Sequence, residues 1–282
     1  MEFYLNFTVP STSQSLKIKE LSFKQLRVLN KFLHNKNNTA INHCLERILE
    51  ENVIDYNKKM NLNSHDKFCI FVLLRLASIS PEIEIKKGHF TKKTSLQPFY
   101  SQISALKLKT LSDIEENDIK IKINLPKQFY YSDIFSSFSD TIDTIQIKQN
   151  QKVETSELSQ SEKQNLFDSL PATVLQKIYT YKQQVETEFK AVILNIDNEN
   201  NIELSPFNTS LFEVLKILYF SDLKSLYDIQ YLLVSKVNYN PDYVDTNTLL
   251  ENIILINNYS DEMTKTSDET KKALDINKNT VK

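Results

Sequence analysis

Glycine is all but missing from this chain. Gly88 is the one glycine among 282 residues, where an ordinary protein carries about 7%. A phosphate-binding loop, a dinucleotide fingerprint and a nucleophile elbow each need glycines at fixed spacing, so none of them is present. Asparagine is then expected to make the tight turns, as in HNKNN (34–38) and DNENN (197–201). Cysteine is scarce too. Cys44 and Cys69 both fall among apolar residues at helical spacing, the setting of reduced buried thiols rather than of a disulfide or metal site. A surplus of positive charge is lacking: 34 Lys and Arg stand against 36 Asp and Glu, which leaves no electrostatic footprint for DNA or RNA. Long apolar runs are absent as well. FCIFVLL (68–74) stops at Arg75, far short of the roughly 20 residues of a spanning helix. The start, MEFYLNFTVP, has no basic segment leading into an apolar one, so no signal peptide is expected.

What is present is 40% hydrophobic residues, abundant Lys, Asn, Ile, Tyr and Phe, and a clear order of patterns. In FYLNFTV (3–9), Phe3, Leu5, Phe7 and Val9 alternate onto one face, and LKIKEL (16–21) alternates again after PSTSQS; together they predict a β-hairpin. Ser22 and Gln25 have the spacing of a capping box, and Phe23, Leu26, Leu29 and Leu33 the spacing of a helix. A second helix is predicted from Thr39 to about Asn52, with Ile41, Cys44, Leu45, Ile48 and Leu49 inward. A third starts at Ser64 and ends before Pro81, and EIEIKK then alternates as a strand. SALKLKTL (104–111), DIKIKINLP (118–126) and DTIQIKQN (143–150) have period two, with Lys opposite Ile or Leu, and read as strands with one wet face. Helical patterns resume from about 157, with Pro171 at a first turn, a short hairpin at VILNI and IEL, and a last helix from Asp245. The fold class is therefore α+β, mainly helical, with an N-terminal β-hairpin and a central antiparallel β-region. The expected divisions are 1–88, 89–150 and 151–262, with 263–282 a disordered tail that lacks an apolar face.

Chemistry-bearing clusters are thin. His34, His43, His65 and His89 form no metal-ligand spacing with each other or with cysteine. Ser64, His65 and Asp66 are triad letters in a row, but helical neighbours point about 100° apart and cannot form a relay; a helix cap at Ser64 is the simpler reading. The pairs Glu82/Glu84, Glu115/Glu116 and Glu186/Glu188 sit in no apolar setting that would raise a pKa, so solvated faces are the default. No catalytic residue, metal ligand or cofactor is expected.

The most apolar stretch is SLFEVLKILYFSDLKSLYDIQYLLVSK (210–236), which reads as two helices broken near Phe220 and Ser221. At 100° per residue, Leu223, Leu226, Tyr227, Ile229, Leu233, Val234 and Val237 share an arc of roughly 160°, wide for one buried face. Gln230 lies inside the arc and Leu232 outside it. The edge with Phe220, Tyr231 and Leu232 needs a further neighbour, either another helix of this chain or another protein.

In order and spacing, the chain resembles the baseplate hub protein family of T-even-type contractile-tailed phages. The resemblance is carried by FTVPSTSQSLKIKELSFKQLRVL (7–29), LNSHDKFCIFVLLRLASISPEIEI (62–85), the β-region ending in IKINLP (121–126), SELSQSEKQNLFDSLPATVLQKIYTYKQQV (156–185) and the stretch 210–236, and it spans about residues 1–262. Some relatives have paired cysteines in the strand regions; KKGHFTKK and ILNIDNEN hold none, which speaks against a metal-clipped hairpin. The resemblance implies a non-enzymatic structural or assembly protein of the tail baseplate, acting through contacts with other hub proteins. Its place would be the virion tail, the host cytoplasm during assembly, or both. On that reading the edge of Phe220, Tyr231 and Leu232 docks a hub partner or a second copy. Two other classes stay open. One is a nucleic-acid-binding accessory protein that uses the lysine strands with Phe129, Tyr130 and Tyr131 as stacking platforms. The other is an enzyme with an unrecognised carboxylate site.

Overall fold

The structure is a computed structural model whose backbone is described for residues 4–56, 62–87, 90–107, 114–116, 119–129, 136, 140–147, 151–190, 193–195, 201–203 and 211–280. Alternation at the N-terminus gives β1 (Leu5–Thr8) and β2 (Ser15–Ile18). They pair antiparallel with Leu5 opposite Ile18 and Phe7 opposite Leu16, which puts Phe7, Leu16 and Ile18 in the core. Helix α1 (Phe23–Asn35) starts with the capping box of Ser22 and Gln25 and buries Phe23, Leu26, Leu29 and Leu33. In HNKNN the left-handed residue is Lys36 (φ 51), not an asparagine; Asn37 instead caps α2 (Asn38–Asn52) by accepting from the Ala40 N–H. With glycine unavailable, Ser13, Asp55 and Asn238 also take positive φ, each at a cost that glycine would avoid.

Helix α3 (Ser64–Ser78) is the most enclosed element, buried from Ser64 through Val72. Its cap is Asn63, not Ser64: the Asn63 side chain accepts from Asp66 N–H, and Asp66 accepts from Asn63 N–H. At its far end Arg75 is buried with no carboxylate paired to it among the described residues. It donates to the carbonyls of Leu218 (2.5 Å), Ser80 and Glu82 (3.0 Å), and burial pushes its guanidinium down to about 10.

Strands β3 (Glu82–Lys87) and β4 (Phe90–Ser95) form a hairpin, followed by α4 (Gln97–Ala105). The strand expected over SALKLKTL is therefore corrected at its start. Ser104 and Ala105 close α4, because Phe99 and Ile103 stand four apart and bury one helical face; residues 108–113 lie outside the described set. Strands β5 (Ile114–Glu116), β6 (Ile119–Ile123), β7 (Ile142–Ile147) and β8 (Gln151–Glu154) make an antiparallel sheet in sequence order. Its inner face carries Ile114, Ile121, Ile123 and Ile145. The divisions expected at 88/89 and 150/151 flank paired strands: β3 with β4, and β7 with β8.

Two helices follow, α5 (Gln160–Asp168) and α6 (Ala172–Lys190), the first capped by Ser159 and Glu162. The hairpin of β9 (Ile193–Asn195) and β10 (Asn201–Glu203) comes next. The apolar stretch then forms α7 (Leu211–Tyr219) and α8 (Leu223–Tyr231), which runs into a π-helical turn at Leu232–Lys236. Helix α9 (Pro241–Thr246) leads to α10 (Leu249–Thr280). The structure thus draws helix through residues 263–280, where sequence predicted an irregular tail. The Glu-, Lys- and Ala-containing DETKKAL supplies helix propensity. The fold is mixed α+β, and no described helix is long and apolar enough to cross a membrane.

Candidate functional site

The triad letters do not make a catalytic group. His65 is buried, and its Nε2 faces the Ile103 carbonyl at 2.8 Å. Asp66 is engaged by Asn63 and by Ser11, whose Oγ donates to Oδ2 at 2.6 Å and whose N–H donates to Oδ1 at 3.1 Å. The Ser64 hydroxyl is buried with no hydrogen-bond partner among the described residues. Burial pushes the Cys44 thiol up to about 11 and the Cys69 thiol well above its ordinary value, so neither is a ready nucleophile. Both are free. Among the described residues no group of three His, Cys, Asp or Glu could hold a metal ion; His89 lies outside them. A crevice between the sheet and α5, lined by Ile142, Ile145, Thr155, Lys163, Leu166 and Phe167, has room for little more than one water molecule.

Glu115, Glu116 and the described lysines of the four-stranded sheet are ion-paired. Lys120 pairs with Glu115 at 3.0 Å, Lys122 with Asp143 at 3.2 Å and Lys152 with Glu154 at 3.5 Å. Glu116 accepts from the Thr173 hydroxyl and from Lys177 at 3.0 Å, and these bonds hold its carboxyl below the usual range. The wet face of the sheet is thus mixed in sign at these positions. The Phe129 ring packs edge-on to Phe71 at 6.0 Å, turned to the core rather than offered for stacking. Tyr130 and Tyr131 lie outside the described residues, as do the side chains of Glu186 and Glu188.

The distinctive surface is where α1 runs beside α8. Asn30 of α1 is fully buried and clamps the chain break on both sides of Phe220. Its Nδ2 donates to the Tyr219 carbonyl at 3.1 Å, and its Oδ1 accepts the Ser221 N–H at 2.7 Å. With both flanks held, the Phe220 ring is left 42% exposed. It sits 4.6 Å from the His34 ring with Lys216 Nζ 6.0 Å from its centroid. One turn back along α1, Lys31 Nζ lies 5.8 Å from the Tyr227 ring. Arg27 then ties the helices together: its guanidinium is 5.6 Å from Tyr227, donates to Gln230 and is ion-paired with Asp245 of α9.

Of the three residues expected to dock a partner, Phe220 lies in the break before α8 and Tyr231 (60% exposed) is the last residue of α8, so the whole helix, about 13 Å long by helical rise, lies between them. Leu232 is only half-exposed, because it opens the π-helical turn in which the Val237 N–H reaches back to its carbonyl. Sequence reasoning missed Tyr227. It was placed inside the buried arc, yet is 40% exposed. The inward stripe is Leu226, Ile229, Gln230 and Leu233, with Gln230 turned in because Arg27 and Asp245 both bind its amide. The polar Gln230 within an apolar arc was the available signal: a partner for that amide inside the fold rotates the stripe away from Tyr227.

No curated protein and no solved structure matches the chain at a significant level. A family model, described as T4 bacteriophage base plate protein, matches residues 2–211. That match takes in the fold from the N-terminal hairpin to the first residue of α7, a shorter span than the 1–262 expected from sequence, and leaves α8 beyond it. With three quarters of its length under that model, the chain belongs to the T4 bacteriophage base plate protein family.

Proposed function

We propose that this baseplate protein is a non-enzymatic component of the central hub, acting in structure or assembly through contacts with other hub proteins. Membership of the base plate family carries the reading, and the family implies a place in the virion tail. Two features support a role in contacts rather than chemistry. The triad letters and cysteines are buried, with His65 and Asp66 held in structural hydrogen bonds, and large aromatic side chains at Phe220 and Tyr231 stand exposed before and at the end of α8. Phe220, Tyr231 and, at its edge, Leu232 form the partner-facing side of that pair. The partner is another baseplate protein, with a second copy of this chain as the competing occupant. Assembly would begin in the host cytoplasm, where the two cysteines stay reduced.

Mass spectrometry of purified virions beside infected-cell lysate tests this directly. A hub component is found in both, at fixed stoichiometry to other tail proteins. An assembly factor is found in lysate bound to baseplate intermediates and is lost from virions. A chain that associates with neither would overturn the proposal.

A further inference from the structure

We infer that the ridge formed by α1 and α8 receives an acidic, carboxylate-bearing segment of a neighbouring protein. This rests on the baseplate reading and names the chemistry of the partner. Helix α1, FKQLRVLNKFLHN, has Lys24, Arg27, Lys31 and His34 and no carboxylate. Val28, an exposed apolar residue, lies between Lys24 and Lys31 on one face. Across from it, α8 presents Lys224, Tyr227 and Tyr231 at intervals of three and four, so these also share a face. The result is an aromatic and apolar strip flanked on both sides by lysines.

Two of the carboxylates near this strip are already used. Asp245 is committed to Arg27. Asp222 caps α8, accepting from the Ser225 N–H at 2.9 Å and its hydroxyl at 3.0 Å. Lys24 shares the field of Glu51, and Asp228 stands four residues from Lys224 on α8. Lys31 and Lys224 both face solvent around the exposed rings, Lys31 with no ion pair among the described residues and Lys224 with Asp228 as its neighbour at four residues.

A protein segment fits better than a nucleic acid strand. Stacking a run of bases needs several open ring faces, whereas Arg27 and Lys31 approach the Tyr227 ring, and His34 and Lys216 that of Phe220, which leaves Tyr231 as the ring of these three without such a neighbour among the described residues. What the strip still offers is the Tyr231 ring, the edges of the other rings, tyrosine hydroxyls and ammonium groups. Aspartate and glutamate carboxylates accept from the hydroxyls and ammonium groups, while apolar side chains between them pack on the rings and on Val28.

The test places p-benzoylphenylalanine at position 231 of the full-length chain, supplied in cells infected by a phage that lacks its own copy. Cross-linked peptides are then sequenced by mass spectrometry. The expected adduct is a segment of another baseplate protein rich in Asp and Glu. Its yield should fall on the order of tenfold in the Lys31→Glu, Lys224→Glu variant, since facing charges then repel. If that variant loses its native circular dichroism, Lys31→Gln with Lys224→Gln replaces it, and a several-fold fall is still expected. Adducts to a neutral or basic segment, to nucleic acid or to a second copy would overturn the inference. So would no adduct, or a yield that ignores the lysine changes in a folded variant. Co-sedimentation of the chain with baseplate particles is scored separately. If the chain co-sediments but position 231 captures nothing, this surface is wrong and the baseplate role survives. If it does not co-sediment, the baseplate role fails, and the adduct still decides the surface.

Discussion

Asn30 and Ser221, 191 positions apart, are joined by a 2.7 Å hydrogen bond from the Ser221 N–H to the Asn30 side-chain oxygen. The same amide donates to the Tyr219 and Leu26 carbonyls. One buried side chain therefore satisfies the backbone on either side of the break between α7 and α8. Asn30→Ala leaves buried backbone groups unpaired and should cost about 2–3 kcal/mol of stability. Asn30→Asp keeps the acceptor and loses the donor, so it should also destabilise; urea unfolding of the three proteins checks both. Native-state amide exchange should quicken first at Ser221, the residue after the exposed Phe220.

The second long-range tie is the hairpin loop on α3. Asp66 takes two hydrogen bonds from Ser11 and one from Asn63, at a helix N-terminus where negative charge is favoured. Ser11→Ala removes one bond and should cost about 1 kcal/mol. Asp66→Ala removes the cap and both loop bonds, and should cost about 3 kcal/mol. If the two unfold alike in urea, the loop bonds contribute nothing.

These two ties were legible to different degrees. Ser22 with Gln25, and Ile41 through Leu49, signal their helix locally, because caps and apolar stripes are written within a few residues. Asn63 as the cap of α3 was also local, but Ser64 is an equally good capping residue type and only the backbone decides between neighbours. The period of two in LKLK suggested a strand, while Phe99 and Ile103, four apart, were the stronger signal for the helix that precedes it. Asn30 and Gln230 were opaque. A polar residue inside an apolar arc acquires its meaning from a partner far away in sequence, and only the fold supplies it. Tyr227 joined the exposed surface for that reason.

His65 makes stability depend on pH. Burial lowers its pKa from the ordinary 6.5, outweighing the hydrogen bond to Ile103 and the field of Asp66. The unfolded chain therefore takes up a proton at a pH where the folded chain does not. Stability from this site is complete above about 6.5 and is lost as pH falls from there through the lowered folded value. His65→Gln can still donate to the Ile103 carbonyl but does not titrate. Unfolding in urea at pH 7.5 and pH 5 should show a loss for the native protein that is visibly smaller for the variant. Equal losses would place the acid sensitivity elsewhere.

The far end of α10 gives the last prediction. Leu249 and Asn252 are buried, and Leu255 and Ile256 pack against the core, so the first two turns are anchored. From Ser260 to Thr266 every side chain is exposed, Met263 included. Where side chains are exposed in this way helicity depends on propensity, and an isolated helix of about 12–15 residues is marginal in water. Amides from Thr264 to Thr280 should exchange within seconds in the free protein, while those of Leu255 and Ile256 exchange with the body of the fold. Truncation after Glu262 should leave the thermal midpoint within about 1–2 °C, since the side chains described beyond it, 263–266, are all exposed. Slow exchange across 264–280 in the free chain would mean that this segment packs on something in solution, and a midpoint that falls on truncation would identify that something as the protein's own body. Slow exchange that arises only in baseplate complexes would make the segment a second partner-binding element, ordered on assembly.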